Sequence, residues 1–260
     1  MGDDGSRKVI VETTGPVTVI TINRPEARNA VDPETGDMLR AAFRAFDADP
    51  DQSAAVLCGA QGNFCAGFDL KAVSTGAFRY NPAGDGPMGP TRLLLSKPVI
   101  AAVEGYAVAG GLELALWCDM RVAASSAVFG VFCRRWGVPL IDGGTVRLPR
   151  IVGHGRAMDM ILTGRPVEAS EALGMGLANR LVADGKATEE AIALARDIAR
   201  YPQICLRTDR MTAHRQWSMD LPDALKLEGA EGEKPLLEEA EQGASRFAAG
   251  RGRAGDFEEI

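Results

Sequence analysis

The chain is poor in aromatic residues, 6% of its 260 positions, and holds only two histidines, His154 and His214. Neither has a partner at metal-ligand spacing, so no metal site is expected. Cysteine is scarce and odd in number: Cys58, Cys65, Cys118, Cys133 and Cys205 contain no C-x-x-C pair. That pattern argues against a disulfide framework and for reduced thiols in a cytoplasmic protein. Basic tracts are missing too. The net charge is −6, with acidic and basic residues mixed, which speaks against a nucleic-acid surface. No apolar run approaches the roughly 20 residues of a membrane helix, and the polar start Met1-Gly2-Asp3-Asp4-Gly5-Ser6-Arg7-Lys8 does not read as an export signal. Neither G-x-x-x-x-G-K-[ST] nor G-x-S-x-G occurs, and Gly153-His154-Gly155-Arg156 lacks the third glycine of a dinucleotide fingerprint.

What is present centres on Lys97 to Ala124, and within it on Ala109-Gly110-Gly111-Leu112-Glu113. Pro98 to Val103 reads as a buried strand, the glycine pair as a sharp turn, and Leu112 to Cys118 as a short helix that is apolar apart from Glu113. A second strand follows. A carboxylate in the first turn of an apolar helix, beside unshielded glycine N–H groups, suits a site that holds an anionic oxygen and moves a proton next to it. The alternative is a surface glutamate that serves the helix dipole.

Around this centre, strands and helices alternate. Lys8 to Glu12 and Val17 to Asn23 read as a hairpin across Thr13-Thr14-Gly15-Pro16. The polar loop after it carries Arg24 and Arg28, which are either solvated or placed for phosphate groups. Pro33 to Asp47 is an amphipathic helix with Met38, Leu39, Ala42, Phe43 and Phe46 on one face. Ala54 to Gly59 is a strand that runs into Phe64-Cys65-Ala66-Gly67-Phe68-Asp69-Leu70, a turn able to supply a second arm to an oxyanion-binding pair with Gly110. Asp69 also suits an N-cap.

Thr75 to Pro90, rich in glycine and proline, reads as a surface loop and candidate lid. Ala127 to Val131 is a further strand. Asp142, between Leu140-Ile141 and Gly143-Gly144, is either a helix cap or a second carboxylate in apolar surroundings. Val152 to Leu162 and Glu168 to Gly174 read as helices and Leu177 to Val182 as extended. From Thr188 the pattern is helical only, in segments beginning at Glu189, Gln203, Pro222 and Pro235, and the tail from Gly250 to Phe257 loses periodicity.

Taken together, Asn23-Arg24-Pro25 with Asn29-Ala30, Phe64 to Leu70, Lys97 to Val103, Gly110-Gly111-Leu112-Glu113-Leu114-Ala115 with Cys118-Asp119, Gly143 to Leu148, Thr163-Gly164-Arg165 and Glu171-Ala172-Leu173-Gly174 resemble the enoyl-CoA hydratase/isomerase family, the crotonases. The resemblance spans nearly the whole chain. It implies an α/β fold, a spiral of ββα turns over residues 1–200, with a C-terminal helical region, 201–260, that mediates trimerisation, commonly with trimers paired into hexamers. It further implies an acyl-CoA thioester substrate whose coenzyme A is part of the substrate, with no separate cofactor.

By the same resemblance, the thioester oxygen is held by the backbone N–H groups of Phe68 and Gly110. Glu113 corresponds to the first of two hydratase glutamates. Cys133 stands where the second would be, and a neutral thiol is a poor substitute for a carboxylate. Asp142 falls where family dienoyl-CoA isomerases and 4-chlorobenzoyl-CoA dehalogenases carry a catalytic aspartate, although the dehalogenases have no glutamate at the position of Glu113. Hydration is therefore expected, with Glu113 as principal base and Asp142 as second proton-transfer group. Double-bond isomerisation, or CoA-ester binding with weak catalysis, is the alternative. Arg24 and Arg28 are candidates for the CoA phosphates. Ala66, Asp69, Leu70, Cys133 and Trp136 are candidates for substrate contact, and Phe247 for contact from a neighbouring subunit.

Overall fold

The computed structural model describes residues 7–76 and 80–252. The first six residues, 77–79 within the expected lid, and the tail from 253 lie outside the described residues. Nine strands are described: β1 (Val9–Thr14), β2 (Val17–Ile22), β3 (Ala54–Gly59), β4 (Val99–Val103), β5 (Tyr106–Val108), β6 (Met120–Ala124), β7 (Val128–Gly130), β8 (Val167–Glu168) and β9 (Arg180–Val182). The helices are α1 (Pro33–Ala48), α2 (Leu70–Ser74), α3 (Gly110–Trp117), α4 (Gly144–Val152), α5 (His154–Thr163), α6 (Ala169–Gly174), α7 (Ala187–Arg200), α8 (Gln203–Arg215), α9 (Leu221–Glu231), α10 (Glu233–Pro235) and α11 (Glu241–Ala248). A π-turn, Leu236–Ala240, joins the last two.

One sheet runs β1-β2-β3-β4-β6-β9 and a second runs β5-β7-β8. The hairpin β1–β2 is antiparallel, and every later neighbour in the large sheet is parallel. The chain thus gives β4 to the large sheet and β5 to the small one, forms α3, and repeats the alternation with β6 and β7. This is the ββα progression expected of the spiral.

Parallel strands covered on both faces read as continuous apolar runs, and β4 is buried at all five positions. Its alternation divides the core. Val99, Ala101 and Val103 join the cluster that includes α1 and α3, whereas Ile100 and Ala102 face the cluster under α7. Helix α1 begins as its sequence predicts: Asp32 accepts a hydrogen bond from Thr35 N–H at 2.8 Å, and Leu39, Phe43 and Phe46 form the buried face. Phe43 meets Trp117 of α3 edge to face at 4.7 Å, which seats α3 in the core.

Some boundaries differ from the sequence reading. The helix expected over Val152 to Leu162 begins at His154, because Gly153 (φ 82°) ends α4 and separates it from α5. The short strands β5 and β8 were not anticipated, and of Leu177 to Val182 only β9 is a strand. From Gln203 onward the described residues are helical without strands. Trp217, Leu221, Leu225, Leu236, Leu237 and Phe247 of this region are exposed.

Candidate functional site

Two turns meet at the end of the small sheet. Cys65 N–H donates to Tyr106 O (2.8 Å) and Val108 N–H to Cys65 O (3.1 Å), so segment 65–68 runs beside β5. On its other side, Ala66 N–H donates to Arg28 O, Val31 N–H to Gly67 O and Asp69 N–H to Val31 O. Phe68 is held between these bonds. A side chain at Gly67 is excluded: φ is +102°, and a Cβ there would lie 2.9 Å from Ala109 Cβ and 3.0 Å from Gly110 N. The backbones of the two turns are therefore adjacent.

Ala109 takes φ 54°, ψ −124°, a region that non-glycine residues avoid. Its N–H donates to Gly130 O at 2.8 Å, which fixes the strained turn and aims the first N–H groups of α3. Gly110 is the first residue of that helix, where a backbone N–H has no intrahelical acceptor.

Glu113 follows three residues later and is 2% exposed. Its Oε1 accepts Asp142 N–H at 2.9 Å and Gly144 N–H at 2.8 Å. A carboxylate on α3 thereby caps the first turn of α4, whose own N-cap residue, Gly143, has no side chain to do so. Oε2 takes no hydrogen bond among the described residues. Glu113 lines an apolar cavity of about 520 Å³. Burial pushes the Glu113 carboxyl up to about 7, and the charge of Asp142 adds to the rise against the two N–H donors and Arg147.

Asp142 lines the same cavity and is equally buried. Its side chain does not cap α4, the simpler of the two roles open in the sequence. Instead Oδ1 accepts Met88 N–H at 3.1 Å and the hydroxyl of Thr91, while Oδ2 takes no hydrogen bond among the described residues. Burial raises the Asp142 carboxyl, opposed by the Thr91 hydroxyl, Met88 N–H, Arg92 and Arg147. Two carboxylates thus stand in one cavity, each with one oxygen fixed by donors.

Phe68, Gly110, Ala66, Leu70, Cys133 and Trp136 line this cavity with them. Trp136 is 69% exposed and sits at its rim. Burial raises the Cys133 thiol, and the charge of Glu113 raises it further, so the thiol is neutral near pH 7. Tyr80 and Pro87, from the loop read as a lid, complete the wall beside Val73 and Val138.

The remaining candidates lie elsewhere. Asp69 caps α2 by accepting Lys71 N–H at 3.0 Å and pairs with Arg24 at 3.0 Å. Arg24 also reaches Ala30 O and lies 3.4 Å from Asp32, so its guanidinium is engaged inside the protein and is not presented to a phosphate. Arg28 is exposed, with its guanidinium 5.7 Å from the Tyr106 ring. Phe247 lies on α11 and is not part of this chain's cavity wall.

Sequence reasoning missed Thr91 and Arg147. Arg147 donates to Asp142 O (3.0 Å) and Thr91 O (2.7 Å) and so ties the two segments together. Its place after Gly143-Gly144-Thr145 was visible; its partners were not. A larger cavity of about 720 Å³, edged by Arg92, Arg147, Arg150, Arg210 and His214, contains neither Glu113 nor the Phe68 and Gly110 turns. The chemistry concentrates in the smaller, apolar one.

Known proteins resemble the chain in sequence and in fold. The chain matches the family model described as enoyl-CoA hydratase/isomerase over residues 12–254. It is 37% identical over 254 residues to the enoyl-CoA hydratase EchA19 of Mycobacterium tuberculosis, covering 93% of this chain and 94% of the relative. A probable enoyl-CoA hydratase of Rhizobium meliloti is 39% identical, covering 85% of this chain and 86% of the relative. Among solved structures, the enoyl-CoA hydratase EchA1 of Mycobacterium marinum superposes with a TM-score of 0.88 at 36% identity, covering 94% of this chain and 96% of that one. By sequence and by fold, the chain belongs to the enoyl-CoA hydratase/isomerase family and has its crotonase-like architecture.

Proposed function

We propose that this protein hydrates 2-enoyl-CoA thioesters, adding water across the conjugated double bond through an enolate. The observation that carries the reading is the shared cavity: two buried carboxylates, Glu113 and Asp142, open onto the space faced by the Phe68 and Gly110 turns. As the β-carbon is attacked, charge moves onto the thioester oxygen. Two preorganised N–H donors, those of Phe68 and Gly110, would hold it, each worth roughly 3–4 kcal/mol in a dry site.

Hydration also needs one group to take a proton from water and another to give one to the α-carbon. The two carboxyls supply both if they share a single proton. Glu113 is raised to about 7, in part by the charge of Asp142, so this reading gives the proton to Glu113 and leaves Asp142, with Thr91 and Met88 as donors, as the ionised partner. Asp142 then accepts the proton of the attacking water and Glu113 delivers its own from Oε2 to the α-carbon. This assigns Glu113 to the acid side of hydration, in place of the principal-base role suggested by its motif. Cys133 contributes a wall and no proton.

The substrate brings its own coenzyme A, and no separate cofactor enters these steps. Arg28, exposed in the 24–28 loop, is the proposed phosphate contact. The exposed apolar side chains of α8 to α11 support the reading of residues 201–260 as the region where subunits of a trimer or hexamer meet, with Phe247 available to a neighbour's substrate. Isomerisation is the second reading, favoured by the apolar wall and by the thiol in place of a second water-holding glutamate.

The test is turnover of 2-enoyl-CoA thioesters of several chain lengths. Hydration consumes the conjugated-thioester absorbance; isomerisation of 3-enoyl thioesters creates it. Binding without turnover of either class, or full activity in Glu113→Gln, would sink the proposal.

A further inference from the structure

The side chain that orients Asp142 comes from 51 residues away in the chain, on a loop that no motif singled out. Thr91 is buried and does not line the apolar cavity. Its hydroxyl donates to Asp142 Oδ1, the oxygen that also takes Met88 N–H. Its carbonyl accepts Arg147 Nη2, while Nη1 of the same guanidinium reaches Asp142 O. A closed ring of hydrogen bonds therefore joins the 88–91 segment, the 142 turn and α4. The fit is tight, since a Cβ on Gly86 would collide with both the Thr91 hydroxyl and the Asp142 carboxylate.

Resting on the hydratase reading above, we propose that Thr91 is a positioning residue: its hydroxyl fixes one oxygen of Asp142 so that the other faces the substrate cavity as an ionised base. A carboxylate with two donors on one oxygen has a single orientation and a favoured charged form. Without the hydroxyl, Oδ1 keeps only the Met88 N–H, the carboxylate is free to turn, and it protonates more readily. The groups facing Asp142 from the surrounding elements are Glu113 from α3, Arg147 from α4, and Arg92 from the loop. The nearby Cys133 thiol faces Glu113 from the turn after β7. None of these is altered by a change at Thr91.

The experiment is the pH profile of 2-enoyl-CoA hydration by Thr91→Val, Thr91→Ser and Asp142→Asn, each checked for a native thermal transition. Thr91→Val is expected to move the acid limb of kcat/KM upward by about one pH unit, since hydrogen bonding to a charged form shifts its equilibrium by about that much. It should lower kcat about tenfold at about pH 6 with KM within about twofold, and Thr91→Ser should restore both. An unshifted limb in Thr91→Val, or equal impairment of Thr91→Val and Thr91→Ser, would overturn the proposal and leave Thr91 a packing residue. Should Thr91→Val fail to fold, Thr91→Ala carries the same comparison. An inactive Asp142→Asn beside an unaffected Thr91→Val overturns only the positioning role. A fully active Asp142→Asn overturns the hydratase assignment of Asp142 and this proposal with it.

Discussion

Replacing Glu113 by glutamine should abolish hydration and, at alkaline pH, make the protein more stable. The carboxyl is buried and its affinity for a proton is raised from an ordinary value of 4.5 to about 7. A carboxyl raised in the folded state adds stability that is fully present below the unfolded value. That contribution is lost as pH rises through the folded value. The window here therefore opens near pH 4.5 and closes just above about pH 7. With about 1.4 kcal/mol per pH unit, ionising Glu113 in its cavity costs about 3 kcal/mol at pH 8 and under about 1 kcal/mol at pH 5.

Glutamine keeps an acceptor for the N–H groups of Asp142 and Gly144 but has no charge to bury. The stability difference between Glu113→Gln and the parent should thus grow by roughly 2–3 kcal/mol from pH 5 to pH 8, whatever its offset. For a chain of this size that is a gain of about 5 °C in melting temperature relative to the parent. Thermal melts of both proteins across this range, at fixed concentration and ionic strength, measure it. A difference independent of pH would refute the raised proton affinity and with it the assignment of the shared proton.

Two further outcomes follow from the geometry. The two loop arginines should separate cleanly: Arg28→Ala should raise KM for CoA esters several-fold without moving the melting temperature. Arg24→Ala removes the partner of Asp69 and Asp32 and should cost about 1–3 kcal/mol of stability. Saturation kinetics and melts on both variants check this. Gly144→Ala would place a Cβ 3.0 Å from Cγ and Oε1 of Glu113. Clearing it moves Glu113 by a few tenths of an ångström and should lower kcat by less than the roughly hundredfold that a misplacement of about 1 Å costs, and kinetics on folded variant protein would reveal it.

The parts of the site that were legible in the sequence are those built from adjacent residues. Gly110 and Glu113 share one helical turn, and Gly67 and Phe68 one loop, so glycine content and apolar context were enough to mark both. Asp142 was legible only as an ambiguity. Its neighbours allow a helix cap, and what turns it away from α4 are donors 51 and 54 residues distant on a loop without periodicity. Arg24 carries the same lesson: solvent and phosphate were the readings open to it, and the fold instead supplies Asp69 from 45 residues on.

Among the secondary elements, the long apolar or amphipathic segments β3, β4, α1 and α3 followed from pattern. The strands β5 and β8, of three and two residues, are too short to show a period and exist because the small sheet pairs them.

The central claim is that Asp142 fills the place left by the missing second glutamate while Cys133 takes no part in proton transfer. The most direct measurement is the hydration rate of a 2-enoyl-CoA thioester, followed by loss of its conjugated absorbance, in Asp142→Asn and Cys133→Ala. Losing the base predicts a fall of about 10²–10⁴-fold in Asp142→Asn, with Cys133→Ala within a few-fold of the parent. An active Asp142→Asn beside an inactive Cys133→Ala would contradict it.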